Sequence, residues 1–262
     1  MRSSIAARLA REIGGFLCTR PAKVSWPGGA VSFTFDDFPR SAWLNGGAIL
    51  ERHGLRGTYY AALNLAGTEN HLGPMFTIDD LREVHARGHE IACHTFNHRD
   101  CRRAPASEIL AEIDENAAAL SRLLDGATMS NFAYPYGAVS LAAKHALSRR
   151  FASCRSTGQG INQGTVDLAD LLGIHIYAGV FDRARLCQLI DDSRAQGGWI
   201  VFYTHDVSDT PSAFGCTPEQ LEWVVAYAAQ NATVLPVDDM LRSLGLPGEK
   251  RANKPQADKQ AA

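Results

Sequence analysis

The sequence lacks several common features, and each absence removes a class of function. Six cysteines are present, Cys18, Cys93, Cys101, Cys154, Cys187 and Cys216, but none forms a C-x-x-C pair or a zinc-finger spacing. Reduced, mostly buried thiols are therefore expected. No stretch approaches the ~18 apolar residues of a membrane-spanning helix. Arg8 and Arg11 interrupt the first apolar run, so it carries no secretory h-region. The formal net charge is −2 with no basic block, which argues against nucleic acid as a partner. No expected strand is followed by G-x-G-x-x-G, so nothing points to a dinucleotide cofactor. These absences lead to an expectation of a cytoplasmic chain. Ile5, Leu9, Ile13, Phe16 and Leu17 still form a weak helical stripe. It would either pack an N-terminal helix on the domain or lay it on a membrane surface as a peripheral contact.

What is present is alternation. Strands are expected over residues 30–35, 57–63, 89–94, 131–134, 151–154, 171–177, 199–204 and 233–237. Helices are expected over 43–53, 77–88, 107–124, 139–150, 182–196 and 217–229, with a short last one ending near 244. Strands alternating with helices make parallel βαβ units. About seven such units suggest an α/β barrel, and an open doubly wound sheet is the alternative. There is no internal repeat and no linker. The domain reading is an N-terminal helix and lead-in over 1–29, one α/β domain over 30–245, and a polar, disordered tail over 246–262.

In parallel α/β folds the chemistry gathers at the carboxyl ends of strands. The first strand ends in Asp36-Asp37. Adjacent carboxylates repel unless a cation sits nearby, although a bare pair can equally be two solvated loop acids. The third strand runs into His94-Thr-Phe-Asn-His98, and two histidines four apart can face one point. With an Asp from another strand end they supply two imidazoles and a carboxylate. That set leaves a coordination position open for water in a catalytic zinc site. Tyr134-Pro135-Tyr136-Gly137 is a turn that can aim a backbone N–H at the same place. His205 follows the apolar run 199–203 and is placed for acid–base work. Four such strand ends together describe metal-assisted hydrolysis. His53, His71, His85 and His145 read as solvated, and His89 as structural. His175 reads as a core or rim residue, with entry into the site as its other reading.

These motifs resemble the polysaccharide deacetylases that share the NodB homology domain, carbohydrate esterase family 4. The resemblance spans approximately residues 31–237. It rests on Thr34-Phe-Asp-Asp37, on His94 to His98 preceded by Gly88-His-Glu-Ile91, on Tyr134 to Gly137 and on Thr204-His205. It implies a distorted (β/α)7 barrel. It also implies Asp36 as the general base acting on water held at a metal, and Asp37, His94 and His98 as the ligands. The Tyr136 N–H would be the oxyanion donor and His205 the general acid. The implied cofactor is a divalent ion, Zn2+ first, with Co2+, Ni2+ or Mn2+ also fitting. The implied substrate is an acetylated carbohydrate, such as an oligo- or polysaccharide containing N-acetylglucosamine. Other readings are a deacylase or deformylase of a lipid-linked sugar, an O-acetyl esterase, and a degenerate sugar-binding module. The module should have lost a ligand or the base, and none is lost. Two departures stand out. Ala133 occupies the place where many members carry an arginine that orients the base. The fourth motif is blurred, with Asp167 and Asp170 in its region but not at a convincing spacing.

Overall fold

A computed structural model of the chain describes residues 17–246. The expected helix near the N-terminus and most of the polar tail lie outside the described residues. Seven parallel strands form the frame: β1 Ala30–Asp36, β2 Thr58–Ala61, β3 Glu90–Cys93, β4 Asn131–Ala133, β5 Ser153–Arg155, β6 Ile174–His175 and β7 Trp199–Thr204. Their spatial order is β6-β7-β1-β2-β3-β4-β5, which is the chain order wrapped once around a ring. Only an isolated bridge, Arg155 to Leu171, spans the seam between β5 and the β6 segment. The fold is thus a (β/α)7 barrel, distorted at that seam.

The helices are α1 Ala48–Arg52, α2 Ile78–Ala86, α3 Ala106–Leu123, α4 Leu141–Leu147, α5 Arg183–Gln196, α6 Pro218–Asn231 and α7 Val237–Ser243. A π-helical turn, Ala42–Gly47, leads into α1. Capping boxes start two of the helices: Thr77 with Asp80 for α2, and Thr217 with Gln220 for α6. Each supplies partners for N–H groups that the first helical turn cannot satisfy. No helix joins β5 to β6. That connection instead pairs Gly164–Asp167 antiparallel with Pro21–Val24 from the lead-in. Sequence reading misses this pair because each strand is only four residues long and half of its residues are exposed. Most expected strands come out shorter, and two are reduced to two residues. The 171–177 strand keeps only Ile174–His175, because the Leu172 and Gly173 N–H groups bond to Asn162 and Gly158 in a neighbouring loop. The 233–237 strand stops at Val234, shortly before Pro236, which has no N–H to give.

Every residue of β1 is buried. Period-two alternation sends Val31, Phe33 and Phe35 outward into the helix-packed core, and Ser32, Thr34 and Asp36 into the barrel. The barrel interior is unusually polar at its amino end. Glu90 accepts hydrogen bonds from Thr58 Oγ1 (2.8 Å), Asn131 Nδ2 (2.7 Å) and the Asp238 N–H (3.0 Å). Ser153 Oγ donates to Asn131 Oδ1 at 2.7 Å, and Trp199 Nε1 donates to Ser32 Oγ at 3.0 Å. Above this layer Tyr60 lies against Ala92 and Ala133.

Candidate active site

The backbone is strained where the sequence placed the chemistry. Among the described residues, five non-glycine residues have positive φ: Asp37, Phe38, Thr95, His98 and Tyr136. All lie just past the carboxyl ends of β1, β3 and β4. Such conformations cost about 1–3 kcal/mol each and persist only where the surroundings impose them. The loop after β3 is held from below by α3. The Glu112 carboxylate accepts the N–H groups of Phe96 (3.1 Å) and Asn97 (2.8 Å), and Thr95 Oγ1 accepts that of Arg99 (2.7 Å). After β4 the turn is so close to the next loop that a Cβ on Gly137 would meet Thr157 Oγ1 at 2.1 Å.

Asp37, His94 and His98 converge. One ligand atom from each lies within 4.8 Å of the others. Asp37 Oδ1 is 3.3 Å from His94 Nε2 and 3.0 Å from His98 Nε2, yet it is buried and has no hydrogen-bond partner. The two nitrogens therefore approach the oxygen without aiming an N–H at it. His94 Nδ1–H donates to the Ala133 carbonyl at 2.9 Å, which leaves Nε2 as a lone-pair donor. An orphaned buried carboxylate oxygen, with two imidazole nitrogens turned toward the same point, fits a divalent cation of the N/O-binding type.

Asp36 points into the same space from β1, and the structure supplies the partner the sequence left unassigned. Arg155 Nη2 donates to Asp36 Oδ1 at 2.5 Å and Oδ2 at 2.6 Å. Its guanidinium lies between the rings of Tyr60 (5.3 Å) and Tyr203 (4.6 Å), and Nη1 donates to the Ser156 carbonyl at 3.1 Å. Burial opposes the charge on Arg155, and Asp36 more than offsets that, raising its pKa. Ala133 and Arg155 are register partners on β4 and β5. The guanidinium thus enters from the strand beside Ala133, whose small side chain leaves the interior free for it. Sequence reading missed Arg155 because it ended the strand at residue 154. The available signal was parity: Ser153 faces the interior, so residue 155 does too.

His205 sits past β7. Its Nδ1–H donates to the Phe214 carbonyl at 3.2 Å, so a backbone oxygen orients it. Burial lowers its pKa, while the charges of Asp36 and Asp37 oppose the shift. The loop that presents Phe214 is fixed by Asp206, whose carboxylate accepts the Ser212 N–H (2.8 Å) and hydroxyl (2.5 Å). Asp167 and Asp170, the fourth-motif candidates, are turned elsewhere and hold Lys144 at 2.8 and 3.2 Å. His175 does not line the cavity and stacks on Tyr177 at 4.7 Å. His89 is buried, accepts the Gly57 N–H at 3.0 Å, and is held by burial at a pKa of about 4. His71, read as merely solvated, faces the cavity.

One cavity of about 370 Å³ is lined by Asp36, Asp37, His94, His98, Tyr136 and His205. These six are the residues that strand-end reasoning and the motif resemblance singled out. Residues 23–150 match the family described as polysaccharide deacetylase. Over that stretch the chain is similar to the polysaccharide deacetylase family. Solved structures of low identity share its fold. The chitin deacetylase of Colletotrichum lindemuthianum is 15% identical with a TM-score of 0.57, over 90% of this chain and 96% of that one. A family 4 acetyl xylan esterase from Clostridium thermocellum, in complex with a cobalt ion, is 18% identical with a TM-score of 0.56, over 84% and 94%. A peptidoglycan deacetylase of Bacillus subtilis is 14% identical with a TM-score of 0.52, over 83% and 91%. No curated protein sequence matches the chain.

Proposed function

We propose that this chain hydrolyses an N-acyl group, an acetyl group foremost, on a carbohydrate, with a divalent metal ion held by Asp37, His94 and His98. The observation that carries the reading is the meeting, in one cavity, of this donor set with a carboxylate clamped by Arg155 and an imidazole oriented by Phe214. A divalent ion at the three donors supplies Lewis acidity to a water and to the acyl oxygen, and zinc is the ion we expect.

The chain's own groups account for the proton and charge movements. Asp36 accepts the proton of the attacking water, and the guanidinium keeps its oxygens from rotating away. The Tyr136 N–H, turned by a left-handed φ of 60°, donates to the oxyanion as it forms. The other N–H groups of that turn are already used, Gly137 to the Tyr134 carbonyl and Ala138 to that of Pro135. His205 donates from Nε2 to the departing nitrogen, because an amine cannot leave as its anion. Nδ1 stays bonded to the Phe214 carbonyl throughout, so the ring does not turn.

The test is mass-spectrometric detection of acyl loss across N-acetyl, N-formyl and O-acetyl sugars, free and lipid-linked, with zinc or cobalt and then with EDTA. Metal-dependent loss from N-acetyl sugars is expected. Exclusive loss from O-acetyl sugars would make the chain an esterase. Absence of metal-dependent loss from every sugar would return it to a binding module. His205→Ala separates amide from ester chemistry further, since an alkoxide leaves without a proton far more readily than an amine. Amide turnover should fall by about 10²–10⁴ and ester turnover by much less.

A further inference from the structure

The mouth of the barrel is closed on one side. The loop after β2 carries a small hairpin, Glu69–Asn70 paired with Gly73–Pro74, and its turn places His71 in the cavity wall. The loop after β7 brings Phe214 to the same wall. The two rings meet edge to face, with centroids 6.2 Å apart. Because β2 and β7 flank β1, this contact forms a bridge over the end of β1, where Asp36 and Asp37 lie.

Both arms of the bridge are anchored to the segment after β1. The Phe76 N–H donates to the Phe38 carbonyl at 3.1 Å, and Met75 bridges to Pro39. The Val207 N–H donates to Ser41 Oγ at 3.2 Å, and Asn45 Nδ2 to the Val207 carbonyl at 2.7 Å. Phe214 also packs on Tyr177 at 5.8 Å. The bridge is therefore a built wall. On the opposite rim, past β4, the Tyr136 side chain is 68% exposed beside the cavity. A volume of about 370 Å³ lies at the low end of small-molecule pockets, which run roughly 300–1,000 Å³. A polymer lying across the metal would have to leave on both sides, and the His71–Phe214 bridge blocks one of them.

Resting on the deacylase reading above, we infer that the site takes its acylated sugar as a chain end or a single unit, entering past Tyr136 and stopped by His71 and Phe214, and does not act on internal units of a polymer. The edge-on rings give that terminal unit an apolar face to press against, and Asn70 beside them lines the same wall.

The experiment uses N-acetylglucosamine oligomers of increasing length with the zinc-loaded full chain, and locates each lost acetyl by tandem mass spectrometry. Loss confined to one terminal unit at every length is expected. Loss from internal units at a comparable rate would overturn the inference. His71→Gly and Phe214→Ala open the wall, and the second keeps the backbone carbonyl that orients His205. Each should raise internal relative to terminal loss by roughly tenfold or more. Unchanged positional selectivity in both, with metal content preserved, counts against the wall. Binding is read separately with the Asp36→Asn chain by saturation-transfer NMR. Transfer to the acetyl methyl of one terminal unit supports end-on entry whether or not turnover is seen. Equal transfer to internal units, or none to any unit, rejects it. Failure of hydrolysis on every sugar, a single unit included, is by contrast failure of the deacylase reading.

Discussion

The two ends of one barrel treat buried polar groups in opposite ways. At the amino end, Glu90, Thr58, Asn131 and Ser153 form a closed network in which every bond named above has a donor matched to an acceptor. At the carboxyl end, Asp37 Oδ1 and Arg155 Nε are buried without a hydrogen-bond partner, and the backbone takes positive φ at five non-glycine residues. Buried polar atoms are normally paired, so an unpaired one needs an explanation. The same strands supply both ends, so strand propensity cannot account for the difference. The amino end is arranged to be finished by the protein itself. On the proposed function, the carboxyl end is arranged to be finished by a metal and a substrate. Replacements at the carboxyl end should therefore cost activity more than stability, and those at the amino end the reverse.

The largest effect belongs to Asp36→Asn. Turnover should drop by about 10²–10⁴ while zinc content, measured by atomic absorption, stays the same. Full activity in this variant would remove Asp36 from its role. Next comes Arg155→Met, which joins the two behaviours. It leaves Asp36 buried and uncompensated, so stability should fall by about 3–5 kcal/mol, and loss of positioning should cost about 10² in turnover. Adding Asp36→Asn to Arg155→Met should restore much of the stability and none of the activity. Adding Ala133→Arg instead moves the guanidinium to the register partner and should recover part of the turnover. If neither second change recovers stability, the charge pair is not what holds this end.

At the amino end, Asn131→Ala removes a donor to Glu90 and an acceptor for Ser153. We expect a loss of about 1–3 kcal/mol in urea unfolding, with KM for an acetylated sugar unchanged. The smallest effect is one of pH. Burial raises the Glu90 carboxyl to about 7, above its ordinary value, so the folded state holds this proton more tightly than the unfolded chain does. Stability is full below the unfolded value and is lost as pH rises through about 7. From pH 6 to pH 8 the loss should be about 1 kcal/mol, seen as a falling Tm, and Glu90→Gln should flatten it. A Tm that climbs over this interval in the wild type and is unaltered in the variant would place the titration elsewhere.

The fold was legible wherever pattern is local. Alternating apolar runs and capping residues gave strands and helices at nearly their observed places, because burial and caps act over a few residues. What escaped was set by partners far along the chain. The strand pair Pro21–Val24 with Gly164–Asp167 is too short for a local period to announce it, and its partners lie more than a hundred residues apart. His71 is solvent-exposed, as expected, but its place in the cavity wall depends on a ring from a distant loop. Asp167 and Asp170 sat in the right stretch of sequence, but Lys144 claims them, a preference that spacing does not reveal.

By itself the sequence determined the donor types and their strand ends: Asp36 and Asp37 after one apolar run, His94 and His98 after another, Tyr136 in a proline-glycine turn, and His205 after a third run. These are local facts, since a parallel strand delivers its last residues to the same end of the barrel whatever lies beside it. Only the tertiary structure decided what holds them. Arg155 reaches Asp36 across 119 residues because β5 lies beside β4 in register and Ala133 leaves it room. The carbonyl of Phe214 orients His205 because Asp206 folds the intervening loop back. Both depend on which strands are neighbours and how deeply their side chains enter the interior. Those quantities are fixed only when the ring of strands is built.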